Sequence, residues 1–212
     1  MMPHAVVTGA SRGVGRDVAA LLLRAGWEVS AQYHSRPDEG LGVTRWWQAD
    51  FRQPLPDDLP LPERIDALIH CAGICPIGTT DSLTRRAWEE SLAVNLHAPV
   101  ELTSRALPAL RAAGGHMVYV NSGAGLHSKP QWSAYSTAKH AARAWCDALR
   151  AEEPEIRVTS VYPGRIATDM QRGIVAELGE EWRPESYLDT AEVAQAIVAA
   201  LGSHTTDIQV RP

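Results

Sequence analysis

Lysine is nearly missing from this chain: of 20 basic side chains, 18 are Arg and only two are Lys. One of the two, Lys139, stands four residues after Tyr135 in "SAYSTAKHA", so the position asks what Lys supplies there that Arg does not. Cysteine is scarce as well. Cys71, Cys75 and Cys146 form no disulfide framework and suit a reducing compartment. Cys71 and Cys75 lie beside His70, but no fourth metal ligand accompanies them, so they read as small reduced thiols and no metal is expected. No long basic cluster occurs and the net charge is −5, which argues against nucleic acid as a main partner. No apolar run approaches the roughly 18 residues of a membrane span. The opening "MMPHAVVTGAS" runs from a short apolar stretch into a glycine turn, unlike a secretory signal. With 212 residues and 45% apolar content, these absences leave one soluble domain over 1–212 and a cytoplasmic setting as the expectation.

What is present is alternation. "HAVVTG" reads as a strand ending in a glycine turn, and Val14, Val18, Leu21, Leu22 and Ala25 then recur at helical spacing until Gly26. "WEVSAQY", "VTRWWQAD" and "RIDALIHCAG" read as further strands, the last nearly unbroken, as a buried parallel strand is. Thr84 to Ala113 reads as helix in two pieces meeting near Pro99. "GHMVYVNSG" and "IRVTSVYPG" flank a long helix over 133–151, and a capped helix "DTAEVAQAIVAALG" precedes a last strand, "DIQV". Such alternation predicts an α/β fold, a doubly wound parallel sheet in three layers with its ligand at the carboxyl ends of the strands. Two connections are short of helix. About ten residues follow Tyr33, and "FRQPLPDDLPLPER" holds four prolines, so an irregular loop is expected there, with Trp46 or Trp47 covering a thin sheet face.

"TGASRGVG" (Thr8 to Gly15) sits between the first strand and the first helix. Glycines at 9, 13 and 15 allow a tight turn and close backbone approach, leaving helix-start N–H groups for a pyrophosphate. The second strand ends in "QYHSR" without a carboxylate at 33–36 that would accept from a ribose 2′-hydroxyl. Arg12 and Arg36, with Ser35 and His34, can instead hold a 2′-phosphate, which favours NADP(H) over NAD(H).

A carbonyl reduced by hydride needs a proton for the developing alkoxide. Tyr135 and Lys139 fall on one helix face, and a nearby ammonium favours the phenolate. A compact ammonium can serve a phenol and a ribose together where a planar guanidinium fits poorly. Ser122 ends the fifth strand and can polarise a substrate oxygen. Asn95 lies mid-helix, where Asn is intrinsically poor, and this misfit predicts a local backbone interaction or a held water.

Together these residues resemble the short-chain dehydrogenase/reductase family. The T-G-x-x-x-G-x-G turn stands as "TGASRGVG" and the aspartate after the third strand as "ADF". A variant of N-N-A-G stands as "HCAG", the catalytic Asn as "VNL", and the Ser of "VNSGAG" thirteen residues before the Tyr of "YSTAK". "PGRIATD" matches the segment that touches nicotinamide. The resemblance implies that Tyr135 is the acid/base, that Lys139 lowers its pKa and binds the nicotinamide ribose, that Ser122 holds the substrate oxygen, and that Asn95 supports a relay water. It further implies cofactor contacts from Thr8, Gly9, Ser11, Arg12, Gly13, Val14 and Gly15, from His34, Ser35 and Arg36, and from Asp50, Phe51, Ala72 and Gly73. Pro163, Gly164, Ile166 and Thr168 would enclose the nicotinamide end. His70 and Cys71 replace the usual asparagines, and the chain ends after its last strand without the customary glycine-rich tail. A monomer or a helix-paired homodimer is therefore expected ahead of a tetramer.

The segment 165–189 occupies the place of the family's substrate-covering loop. Met170, Ile174, Val175, Leu178 and Trp182 there, with His127, Gln131 and Trp132 opposite, suit an apolar aldehyde, ketone or alcohol. An NADP(H)-dependent carbonyl reductase or alcohol dehydrogenase is the first expectation. A non-catalytic NADP(H)-binding sensor of the same fold is the alternative, disfavoured by the complete Asn, Ser, Tyr and Lys set. An epimerase or dehydratase is disfavoured by the short chain.

Overall fold

Apolar side chains alternate along the strands and so decide the layers. Ala5, Val7, Ala67, Ile69 and Val118 face one side of the sheet, whereas Val6, Leu68, Met117 and Val158 face the other. The computed structural model describes residues 2–211. Its strands are β1 (His4–Thr8), β2 (Glu28–Tyr33), β3 (Arg45–Gln48), β4 (Ala67–His70), β5 (His116–Val120), β6 (Arg157–Pro163) and β7 (Asp207–Val210). They pair in parallel in the order β3-β2-β1-β4-β5-β6-β7. The direction of winding reverses between β1 and β4, which opens a crevice at their carboxyl ends.

The helices are α1 (Gly13–Arg24), α2 (Arg85–Leu92), α3 (Ala98–Ala113), α4 (Ser133–Glu152), α5 (Asp169–Glu177) and α6 (Thr190–Ala200). Val18 and Leu22 of α1 pack with Val193 and Ile197 of α6 on one face of the sheet. Leu102 and Leu110 of α3 pack with Cys146 and Leu149 of α4 on the other. Each of the four leucines contributes about 1.5–3 kcal/mol by leaving water. The sequence pattern thus leads to the expected three-layer, doubly wound sheet. Helix ends follow local chemistry too. Asp189 and Glu192 form a capping box at α6, Thr84 accepts from the Ala87 N–H at α2, and the chain leaves α1 through Gly26 at φ +82°.

The two helix-poor connections are irregular, as the prolines require. Residues 51–64 lie along α3, where Arg105 donates to the Pro56 carbonyl at 2.6 Å and Phe51 and Leu55 are buried beside Trp47. Trp46 and Trp47, adjacent on β3, point to opposite faces. Trp47 enters the α3 side, and Trp46 stands edge-on to Tyr33 at 6.0 Å beside Leu41 and Val43.

The helical stretch 84–113 falls into the two pieces expected near Pro99, α2 and α3. A wide π-turn at Ala93–His97 joins them, and Pro99 sits in the first turn of α3, where a missing N–H is tolerated. No helix among the described residues is long and apolar enough to cross a membrane.

Candidate active site

A cleft of about 910 Å³ opens over the carboxyl ends of β1, β2, β4, β5 and β6. At its floor the glycine turn is packed backbone to backbone. A Cβ on Gly9 (φ +64°) would stand 2.9 Å from the Ala72 backbone, and one on Gly15 would stand 2.4 Å from the Gly9 carbonyl. Arg12 begins α1 without a side-chain cap, so the first N–H groups of the helix face the cleft free of a protein acceptor. Gly9, Ser11, Arg12, Gly13, Val14 and Gly15 all line the cleft.

Thr8 does not. It is fully buried, and its hydroxyl accepts from the Cys71 and Ala72 N–H groups at 3.1 and 3.2 Å, tying β1 to the segment after β4. Gln32 does similar work from β2. Its amide oxygen accepts from the Gly9 N–H at 2.8 Å and its amide nitrogen donates to the Ala49 carbonyl at 2.8 Å. A polar residue inside the apolar run "EVSAQY" was the signal for it.

At the adenosine end the basic groups differ from those expected. His34 lines the cleft, but Ser35 and Arg36 stand outside its wall, and Ser35 bonds the His34 ring at 3.0 Å. Arg16 and Arg52 take their places. Arg52 donates to Asp50 at 2.8 and 2.9 Å and stands 3.1 Å from His34 Nε2, and its hydrogen bonds hold the Asp50 carboxyl down at about 2. Arg16 pairs with Asp38 at 2.6 Å. Arg16 stands on α1 and Arg52 in the loop after β3. Asp50, Phe51, Ala72 and Gly73 line the wall.

Pro163, Gly164, Ile166 and Thr168 line the opposite end with Ser122, Tyr135 and Lys139. Tyr135 and Lys139 project from α4, Ser122 from the end of β5. Trp132 stands edge-on to Tyr135 at 5.9 Å. Burial pushes the Tyr135 phenol upward, while its hydrogen bond from Ser122 acts in the opposite sense. In the protein without cofactor, burial is the larger influence and favours the protonated phenol. The Lys139 ammonium, 5.7 Å from the Tyr135 ring centre, donates to the Tyr119 hydroxyl at 3.0 Å and the Val120 carbonyl at 2.9 Å. Burial pulls Lys139 down to about 7.

Asn95 is fully buried and absent from the cleft wall. Its amide donates to the Ile74 and Ser91 carbonyls at 2.9 Å each and accepts from the Ile74 N–H at 3.3 Å. The backbone interaction expected for it is present. His70 is also committed, with its Nε2 2.8 Å from the Thr103 hydroxyl and its pKa driven down to about 3 by burial and by Lys139.

Around the chemistry the walls are apolar. Ile74, Trp132, Met170, Ile174 and Trp182 line the cleft, joined by His127, Lys129 and Arg172. Val175, Leu178 and Gln131 do not line it. Val175 turns into the protein interior, while Gln131 gives its carbonyl to the Gly78 N–H at 2.9 Å. Arg12 and Asp169 approach to 3.6 Å between the glycine turn and α5. Cys71 and Cys75 also line the cleft, and burial raises both thiols to about 12, so they stand there as inert groups.

Known proteins resemble this chain over most of its length. Residues 58–179 match the family model described as short chain dehydrogenase. Dehydrogenase/reductase SDR family member 7B of Mus musculus is 33% identical over 230 residues, covering 96% of this chain and 71% of that protein. 2,3-Dihydro-2,3-dihydroxybenzoate dehydrogenase of Escherichia coli (strain K12) is 31% identical over 192 residues, covering 85% and 77%. Among solved structures, alcohol dehydrogenase from Thermococcus sibiricus, complexed with 5-hydroxy-NADP, superposes with a TM-score of 0.84 at 22% identity over 100% of this chain and 97% of that one. A short chain dehydrogenase from Salmonella enterica serovar Typhi gives a TM-score of 0.88 at 23% identity over 100% and 97%. At these identities the two structures speak to the fold.

Proposed function

The chain belongs to the short-chain dehydrogenase/reductase family, and from that premise we propose that it reduces an aldehyde or ketone to an alcohol with NADPH, or runs the reverse oxidation. The observation that carries this reading is the Tyr135 phenol at the cleft wall, with Ser122 beside it and the Lys139 ammonium 5.7 Å from its ring, in surroundings whose burial favours the protonated phenol. A phenol in that state is the proton donor that an alkoxide requires. Ser122 donates to the same oxygen and orients it toward Tyr135. Bound NADPH supplies the hydride.

The glycine cradle fits a dinucleotide. Backbone contacts at Gly9 and Gly15 exclude any side chain, and the uncapped start of α1 offers N–H donors to a pyrophosphate. Arg12, Arg16, His34 and Arg52 gather at the adenosine end. Of the carboxylates nearby, Asp38 and Asp17 are paired with Arg16 and Asp50 with Arg52, which leaves His34 and the Arg12 guanidinium on the phosphate side. That balance favours the extra 2′-phosphate of NADP(H). The apolar wall of Ile74, Trp132, Met170, Ile174 and Trp182 favours a small or medium, largely apolar carbonyl substrate. Three free thiols suit a reducing, cytoplasmic setting, with the protein acting as a single-domain monomer or homodimer.

Oxidation of NADPH and of NADH is compared across a panel of aldehydes and ketones. NADPH is expected to be preferred by about 10- to 100-fold, the worth of one or two charge-assisted hydrogen bonds, and Arg12→Ala with Arg52→Ala is expected to erase most of that preference. Tighter binding of NADH than of NADPH would overturn the assignment of these arginines. Binding of NADPH without turnover of any carbonyl would favour the sensor instead.

A further inference from the structure

The Asn95 carbonyl lacks its ordinary helical partner. In a regular α-helix it would accept from the N–H of residue 99, and residue 99 is proline. The helix widens here into the π-turn of Ala93–His97, and the Asn95 carbonyl takes a donor from outside the helix, the Tyr119 hydroxyl on β5. The oxygen of that hydroxyl accepts from Lys139 Nζ at 3.0 Å. One O–H group therefore joins the active-site lysine to the carbonyl of Asn95.

The surroundings make this contact consequential. Lys139 is 3% exposed and Tyr119 is 1% exposed, so water does not compete freely at either. His70 and Trp145 stand against the Tyr119 ring at 6.2 and 6.1 Å and fix its plane, and the ammonium lies 4.6 Å from its centre. The titratable groups that act on Lys139 are Tyr119 from β5, Tyr135 and Cys146 from α4, His70 from β4, and Cys71 and Cys75 from the segment after β4. None is an anion at neutral pH. With no carboxylate to face, the ammonium depends on its acceptors, the Tyr119 hydroxyl and the Val120 carbonyl. An ammonium has three N–H donors, so these two leave one for the cleft.

We propose that Tyr119 is a positioning residue for the reaction: its hydroxyl, anchored on the Asn95 carbonyl, holds the Lys139 ammonium charged and in place behind Tyr135. This assignment rests on the reading of Tyr135 and Lys139 as the catalytic pair. An acceptor that bonds only the protonated amine favours that form, and removing it lets the buried amine lose its proton more readily.

The scarcity of lysine makes the test direct. Labelling with [ε-¹³C]lysine gives one signal from Lys139 and one from exposed Lys129, an internal reference, in the protein without cofactor. In Tyr119→Phe the titration midpoint of Lys139 is expected to fall by about one pH unit, equivalent to one charge-assisted hydrogen bond, while Lys129 stays unmoved. With substrate and NADPH, kcat is expected to fall about tenfold with the carbonyl KM within about twofold, and the alkaline limb of kcat against pH to move down by a similar step. Pro99→Ala restores an N–H that competes for the Asn95 carbonyl, so a smaller downward shift is expected there, and this variant decides the matter if Tyr119→Phe does not fold. An unmoved Lys139 midpoint and pH profile in the folded variant would reduce Tyr119 to a space-filling ring. The titration needs no turnover, so it stands apart from the catalytic reading, which full activity in Tyr135→Phe would overturn by itself.

Discussion

Tyr135→Phe is expected to lose turnover by about 10²–10⁴-fold while binding NADPH as wild type does, because it removes only the proton donor. Steady-state reduction of the best carbonyl in the panel, beside NADPH titration by fluorescence, checks both halves. Phe keeps the ring against Trp132 at the same α4 position, so the fold has no reason to change. The pairing of outcomes matters. Loss of both binding and turnover would indicate a disturbed cleft. Loss of turnover alone assigns the hydroxyl to chemistry. Burial raises the phenol and the Ser122 hydrogen bond opposes it, so Tyr135 is protonated in the resting protein and ready for the reductive direction.

Lys139→Met is expected to move activity and stability in opposite directions. Turnover should fall by about 10²-fold or more, since the charge beside Tyr135 is lost. Stability should rise at neutral and mildly acid pH. The folded amine gives up its proton at about 7 and the unfolded one near 10.5, so between those values the unfolded chain holds more protons and folding gains with rising pH, by up to about 1.4 kcal/mol per unit. Below pH 7 the full cost of burying the charge is present. Met removes that cost and leaves the Val120 carbonyl without its donor, which returns about 1–3 kcal/mol of it. Melting curves of both proteins at pH 6 and pH 10 are the check. The advantage of Lys139→Met is expected to be largest at pH 6, about 2–4 °C per kcal/mol for a chain of this size, and to vanish or reverse at pH 10. A pH-independent difference would mean that Lys139 carries no buried charge in the folded protein.

The scarce lysine therefore has a structural reason. A rotatable ammonium can divide its donors between Tyr119, Val120 and the cleft from a site that is 3% exposed. A planar guanidinium, longer and five-donor, does not fit that geometry.

Local spacing carried most of what was legible in the sequence. The interval from Tyr135 to Lys139 is one helical turn, and "TGASRGVG" joins a strand to a helix, so each fragment implies its own geometry. The strand sequence and its helical crossovers likewise imply the sheet. Features that depend on the meeting of distant segments were hidden. Tyr119 reads as one more aromatic in a buried strand, and only the placement of β5 beside β4 and beneath α4 brings its hydroxyl to Lys139 and Asn95. Composition does not separate Arg36 from Arg52, and only the folded chain brings Arg52 to the cleft wall. Asn95 was marked by its misfit in a helix, yet the misfit did not reveal that its carbonyl, freed by Pro99, is the group that reaches toward the site. Spacing shows that Tyr135 and Lys139 share a helix face, but it does not show the burial that raises the Tyr135 phenol.

The most direct measurement follows the hydride itself. NADPH deuterated on the transferring face of C4 is incubated with the protein and the best carbonyl substrate, and the alcohol is analysed by mass spectrometry. One deuterium on the carbinol carbon, with the yield lost in Tyr135→Phe, is the result that a Tyr135–Lys139 reductase predicts. Bound NADPH with no deuterium in any product, or undiminished transfer in Tyr135→Phe, would contradict it.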